Sequence, residues 1–359
     1  MMKKAAIEIQ FHWIFVSIAG IMILGLFIFL VMRQQITYES RTSISIASDL
    51  RTILVGAQTA TRTLNDLDIP QTKVKFECDL VGEQKIPYSI FSIGNHPEEI
   101  KSQVIFSPPE IDTSKLRAWS YDWSLPYKTN NFLFIAIPQE RIILVEKSSQ
   151  KSKSLCQMIN KTLPEKLNIR YVQPNVPPSL TDLQDQNNQI ETIIFCDFDP
   201  AINPSPSDVP SKLNPKYSRA ISIKPTSDDL EKGTIRFFKA TKTGYIPVED
   251  EKSYAGSALI FGAIFSPEPI FFECNKKKAL TRYHLVSDIY WKKTEALKGS
   301  ISGDPNQIAD CRDLYDQANR KLKNLADKSK NDLNEIYLDA KSIEAISDQL
   351  QRKSCPLIY

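Results

Sequence analysis

Residues Phe11 to Met32, FHWIFVSIAGIMILGLFIFLVM, decide how this chain is read, because no charged residue falls between Glu8 and Arg33. About 20 apolar residues in helical geometry cross the ~30 Å hydrocarbon core of a bilayer, and a helix satisfies its own backbone hydrogen bonds there. The stretch is read as a transmembrane helix. A cleaved secretory signal would have an apolar core of ~7–15 residues ending at a small-residue cleavage site. Here the run is longer and Arg33-Gln34-Gln35 follows it, so the expectation is an uncleaved, single-pass signal anchor.

Working outward, Lys3 and Lys4 on one side of the span are nearly matched by Arg33 and Arg41 on the other. Charge alone leaves orientation close to a tie. The short tail is the easier part to retain in the cytoplasm, and long domains translocate largely regardless of charge, so the N-terminus is expected inside and the large domain extracytoplasmic. Six cysteines, an even number, and the glycosylation sequon Asn160-Lys161-Thr162 lean the same way. Buried thiols and a chance tripeptide are the bland alternatives.

With 45 basic and 42 acidic residues in 359, the net charge is +3. No global field steers the chain toward nucleic acid, and none is expected as a partner. The bilayer itself and protein partners are. Only 11 glycines occur, and neither a G-x-G-x-x-G nor a G-x-x-x-x-G-K-[ST] phosphate loop can be written from the sequence. The three histidines, His12, His96 and His284, are scattered and there is no Cys-x-x-Cys, so no zinc or haem spacing exists and no cofactor is expected.

The fold class expected is a mixed α/β soluble domain carrying an N-terminal transmembrane helix and a C-terminal three-helix bundle. Four segments follow: a short tail and anchor over 1–32, an amphipathic stalk helix over 33–69, the α/β domain over 70–266 and the helical bundle over 267–359. In the stalk, Ile36, Leu50, Ala57 and Leu64 form one heptad seam, and Ile46, Ile53, Ala60 and Leu67 another. Such a stripe packs on a partner helix or, more simply, on the chain's own domain. Between Lys73 and Ser266 short β-rich runs alternate with Pro-rich loops. Strands are expected at Lys73–Cys78, Tyr88–Ile93, Gln103–Phe106, Phe132–Ile137, Ile142–Val145, Asn168–Val172, Thr192–Cys196, Ala220–Ile223, Thr234–Lys239 and Ser257–Ile264. Helices are expected at Ser152–Leu163 and Leu180–Gln186, giving strand-helix-strand alternation rather than a β-sandwich. Three amphipathic helices close the chain: Glu273 to Leu297, one opening at the Asp304-Pro305 cap, and one from about Asp332.

The opening MKKAAIEIQFHWIFVSIAG, with its Gln-Phe-x-Trp-Ile-Phe run entering the span, resembles the start of uncharacterised single-span archaeal membrane proteins. The ending Ser354-Cys355-Pro356-Leu357-Ile358-Tyr359 is similar to theirs as well. The resemblance covers the two ends and implies a membrane anchor, with no activity to carry over. The same opening is loosely similar to archaeal type IV pilin N-termini, in which a basic-polar leader precedes a short Ala/Ile stretch, a Glu and a long apolar helix. Lys3-Lys4 stand where those leaders have a Gly-containing processing site. That likeness implies a pilin-like assembly component.

The candidate chemistry is Thr192-Ile-Ile-Phe-Cys196-Asp197-Phe198-Asp199-Pro200, an apolar strand ending in Asp-x-Asp. It is similar to the first motif of haloacid-dehalogenase-type phosphatases. That resemblance implies Asp197 as nucleophile and Asp199 as acid/base, with magnesium. Two carboxylates at one strand end suit the task, one forming the acyl phosphate and one handling the leaving-group proton. Ala201 departs from the Thr or Val usual there, and Gly303-Asp304 with Asp310 imitates the metal-binding motif only loosely. The alternative is that both aspartates open a Pro-rich surface loop. Trp119 and Trp123 suit either a ligand platform or ordinary core packing. Lys276-Lys277-Lys278 is read as a solvated helix face. Cys311 and Cys355 are expected to bond across the last helical hairpin, with Cys274 as the rival partner, since their heights above a turn near Asn331 differ by only ~6 Å. Taken together, the sequence points to a membrane-anchored surface interaction or scaffolding protein, leaning away from an enzyme; a membrane-tethered hydrolase using Asp197 and Asp199 is the alternative.

Overall fold

The computed structural model describes residues 3–59, 61–81, 86–94, 96–100, 103–173, 191–197, 218–226, 228–241, 244–302, 304–327, 329 and 331–359. The first element, α1 (Lys3–Thr59), is a single helix of 57 residues, which at 1.5 Å per residue extends over ~85 Å. Its Phe15–Arg33 stretch is long and apolar enough to cross a membrane, and none of it is buried against the rest of the chain. Further along the same helix Ala47, Leu50, Leu54 and Ala57 are buried. These four repeat at the helical period on one face, and they join the apolar cluster of the first sheet. Thus the stalk packs on its own domain. It also ends sooner than the heptad pattern suggests: Leu64 and Leu67 lie in a strand, β1 (Leu64–Val81).

The first sheet continues with β2 (Ile86–Ile93), β3 (His96–Ile100), β4 (Val104–Phe106), β5 (Glu110–Ser124) and β6 (Lys128–Ala136). Its strand order is β3-β2-β1-β5-β6-β4, antiparallel except where β4 lies parallel to β6. Pro70 sits where the β1–β5 register slips between Asp68 and Thr72, as expected for a residue with no N–H to give to the ladder. Side chains alternate cleanly across this sheet. On β6, Leu133 and Ile135 face α1, whereas Phe132, Phe134 and Ala136 face the other way, into the main core.

The second sheet is built from β7 (Arg141–Val145), β8 (Asn168–Val172), β9 (Glu191–Cys196), β10 (Ser218–Pro225), β11 (Lys232–Thr241), β12 (Gly244–Pro247) and β13 (Lys252–Ala255). Strands β8-β7-β9-β10 run parallel, with α2 (Gln150–Thr162) crossing from β7 to β8. Strands β11, β12 and β13 add an antiparallel edge. The soluble part is therefore mixed α/β, but with two sheets rather than one layer. The helix expected at Leu180–Gln186 lies outside the described residues.

Between the sheets sits α3 (Ser257–Phe265), whose residues from Ala258 to Phe265 are all buried. The expected strand at Ser257–Ile264 is thus a helix. A continuous apolar run has no period with which to announce its conformation, and a helix surrounded by core is hydrophobic all round. Phe261 and Phe265 pack edge-on or tilted against Trp119 and Phe134 of the first sheet. A Cβ on Gly262 would stand 2.9 Å from the Phe106 ring, so glycine there allows the sheet to approach. Trp119 and Trp123 are core residues, with the Trp123 indole N–H donating to the Ala255 carbonyl at 2.9 Å.

The chain ends in α4 (Pro269–Ser300), α5 (Pro305–Ala326) and α6 (Leu333–Arg352). Asp304 accepts from Asn306 N (2.8 Å) and Gln307 N (3.4 Å), and Asp332 from Asn334 N (2.8 Å), so both expected caps form. The apolar stripes of these helices merge into the same cluster as α3 and both sheets, so no separate core marks the boundary at 267. Lys276 and Lys278 correct the reading of a solvated face, since only Lys277 of the three is exposed. The start of α4 is pressed against the first sheet, where Lys278 Nζ donates to the Ile100 carbonyl at 3.0 Å and Lys276 pairs with Glu273.

Three cysteine pairs stand at disulfide distance: Cys78–Cys274, Cys156–Cys196 and Cys311–Cys355, with Cα separations of 5.9, 5.7 and 5.8 Å. Cys274 is thereby paired with β1 rather than with either C-terminal cysteine. Non-reducing peptide mapping is expected to recover these three linked peptides. Replacing Cys311 and Cys355 together by Ala should lower stability by about 3–4 kcal/mol in denaturant titration, the loop-entropy value for a closure of this length.

Burial lowers the Lys278 pKa from 10.5 to about 7. Between those values the unfolded chain holds a proton that the native state does not, so unfolding free energy rises with pH across the window and is flat below it. Lys278→Met should therefore raise the melting temperature of the detergent-solubilised chain at pH 7 and flatten its rise between pH 7 and 10. The gain is on the order of a few kcal/mol, followed by tryptophan fluorescence.

Candidate functional site

Parallel strands place their ligand-accessible crevice outside their carboxyl ends, at the point where connections leave in opposite directions. In the second sheet that point lies between β7 and β9, because the chain leaves β7 through α2 toward β8 while β9 lies on β7's other side. Asp197 follows β9 directly at this position. Its backbone has φ 54°, a left-handed conformation that aspartate tolerates better than most residues. Its N–H donates to the Ile223 carbonyl of β10 at 2.8 Å.

Across the crevice, Ser149 caps α2. Its Oγ accepts from Ser152 N at 3.0 Å and donates to Asp197 Oδ2 at 3.0 Å. One turn further in, Ser152 is fully buried; its Oγ donates to the Cys196 carbonyl and accepts from Lys147 N, each at 2.7 Å. The Cys156–Cys196 pair joins the same helix to the same strand end. The cap and first two turns of α2 are thus tied to the end of β9 by two hydroxyls and a cysteine pair.

The β10–β11 turn borders the site. Lys151 of α2 reaches Asp228 at 3.7 Å, and Asp229 accepts from the Tyr337 hydroxyl of α6. Tyr254 Oη donates to the Leu230 carbonyl at 3.2 Å. Burial first, then the charges of Asp229 and Asp197, push its pKa far above the ordinary phenol value, so it stays a neutral hydrogen-bond donor at every physiological pH. Lys341 bridges Glu231 at 2.9 Å, securing the turn to α6.

Chemically, the described residues offer the Asp197 carboxylate with the Ser149 hydroxyl on it, bordered by the Tyr254 phenol and the Asp228 and Asp229 carboxylates of the turn. Asp199 and Ala201 lie outside the described residues. The residues proposed to imitate a metal-binding motif are otherwise engaged: Asp304 caps α5, and Asp310 pairs with Lys353 at 2.8 Å, while Gly303 lies outside the described residues. Among the described residues no group of three or more His, Cys, Asp or Glu could hold a metal ion. His284 is buried with Nδ1 donating to the Leu325 carbonyl at 2.6 Å, a helix-to-helix tie. The side chain of His12 lies outside the described residues. Asn160 is exposed in the last turn of α2.

Sequence reasoning missed Ser149, Ser152 and Tyr254 at this end of the sheet. It also missed a polar clamp at the other end, where buried Glu140 accepts from Thr192 Oγ1 at 2.9 Å and pairs with Arg219. The Ser148-Ser149 pair ahead of a helical stretch was the available signal for the cap; the rest depends on sheet order. Comparison with protein-family models, curated proteins and solved structures finds no match to this chain.

If Asp197 serves the turn alone, Asp197→Asn should change stability by about 1 kcal/mol or less, the worth of one hydrogen bond. Asp197→Val, branched at a left-handed position, should cost at least a further 1–2 kcal/mol. Urea titration of both variants checks the difference.

Proposed function

We propose that this chain is a single-pass membrane protein, anchored through Phe11–Met32, whose large domain lies on the extracytoplasmic side and binds or scaffolds other surface proteins. One observation carries the reading: in a single unbroken helix none of the apolar stretch Phe15–Arg33 is buried, whereas Ala47, Leu50, Leu54 and Ala57 further along are buried in a domain core. Such a helix is soluble only if something apolar covers the first part, and a bilayer is the simplest cover for a run of that length. Three cysteine pairs at disulfide distance support an oxidising compartment for the domain. The reading as an interaction module is supported by the pairings in the crevice, where Ser149 holds Asp197, Lys151 reaches Asp228 and Tyr337 holds Asp229.

A pilin-like assembly role is the second reading. The observation favouring it is that the C-terminal part of α1 lies on a largely antiparallel sheet while its apolar part projects free. This is a likeness of architecture alone. The hydrolase reading keeps Asp197 at a strand end as its support, and magnesium-dependent phosphate-ester hydrolysis lost in Asp197→Asn would restore it.

Membrane placement is checked by adding protease to intact cells and to sealed vesicles. The domain beyond Arg33 should be cut in intact cells while a cytoplasmic marker survives. Shielding of the domain alongside that marker would reverse the orientation, and release of the chain by carbonate or high salt would remove the anchor.

A further inference from the structure

We infer that Asn160 is an N-glycosylation site, an inference that rests on the extracytoplasmic placement proposed above. Asn160-Lys161-Thr162 is the chain's one sequon with a residue other than proline at its middle position. The structure adds three conditions that a chance tripeptide need not meet. The first is side. Helix α2 buries Ser152, Leu155, Cys156 and Ile159, while Lys153, Gln157, Asn160 and Lys161 are exposed. A sugar on Asn160 points away from the core.

The second condition is position along the helix. Asn160 lies in the last turn, since α2 stops at Thr162, Leu163 is already extended at ψ 141°, and Pro164 follows. A transferase must draw its acceptor out of helical geometry, and the terminal turn is where local opening costs least. The third is what holds that turn. Thr162 Oγ1 donates to the Met158 carbonyl at 2.8 Å, and Leu163 N to the Ile159 carbonyl at 3.0 Å. Opening gives up these two bonds along with the intrahelical backbone bonds of the last turn, while the Cys156–Cys196 pair keeps the preceding turn in place.

The co-substrate is a lipid-phosphate-linked oligosaccharide. The Asn160 amide nitrogen bonds to C1 of its first sugar as the C1–O bond to phosphate breaks. The bonding pair departs with the lipid phosphate, and the amide proton passes to a base of the transferase. No oxidation state changes.

The test uses the full chain purified from the membranes of a cell that N-glycosylates exported proteins, with mass spectrometry of peptides covering Asn160 and protease sidedness measured on the same cells. The expected result is a hexose-containing mass on Asn160. It should vanish in Asn160→Gln and Thr162→Val and persist in Thr162→Ser, with all three variants still unfolding in a single cooperative transition. A domain that is cut from outside yet carries unmodified Asn160 overturns the inference and leaves the placement standing. A domain shielded from the protease with Asn160 unmodified overturns the placement, and the inference falls with it. Modification surviving in Thr162→Val also overturns it, because the sequon would then not be what is recognised.

Discussion

The packing of Ala47, Leu50, Leu54 and Ala57 onto the first sheet is the contact on which the rest of this molecule depends. Each leucine buried there contributes roughly 1.5–3 kcal/mol. That burial does more than stabilise a domain, because the seam shares a helix with the exposed Phe15–Arg33 run. With no break between the two, the apolar run cannot swing back to cover itself on the domain surface. The seam fixes the direction in which it projects. In the proposed placement the domain would stand off the bilayer on a short helical neck, its first sheet held at a set angle to the span rather than on a flexible tether.

Each of the two sheets has two working faces, and this explains which strands could be read from the sequence. Where strands sit in the middle of the molecule, as β6, β7 and β9 do, both faces are apolar and the residues announce themselves as runs such as Ile142–Val145 and Thr192–Cys196. Strand β5 was missed although it bridges β1 and β6, because its first half alternates Glu110, Asp112 and Ser114 with buried partners and contains no apolar run. The helix α3 failed in the opposite direction. Its run is so uniformly apolar that it fits a strand as well as a helix, and only its placement between two sheets decides the matter. Composition was a sound guide to burial at both places and a poor guide to conformation.

The strand-end site was legible for a different reason and to a smaller extent. Asp197 could be found because an apolar strand followed by an acidic turn former is a local pattern. Its partners are not local: Ser149 lies 48 positions earlier, and Tyr254 comes from the far edge of the sheet. Which strand ends lie side by side is set by sheet order, and the order β9-β7-β8 reverses the chain sequence of β8 and β9. The lysines of α4 teach the complementary lesson. A run of three basic residues reads as solvated, yet the helix carries two of them against the first sheet, where a backbone carbonyl and a glutamate receive them. The price is a depressed Lys278 pKa.

The C-terminal tail is part of the core rather than a loose end. Cys355 stands at bonding distance from Cys311 of α5, the Tyr315 hydroxyl donates to the Pro356 carbonyl at 2.7 Å, and Ile358 is fully buried. Tyr359 then packs edge-on against Tyr127 and Tyr290, in an aromatic group that also includes Tyr283. Tyr127 in turn shares a 2.5 Å hydrogen bond with Ser287 of α4. The last residues therefore act as a plug that links the first sheet, α4 and α5. The apolar helix near the start of the sequence and this plug near its end are both places where physical chemistry restricts the choice of residue.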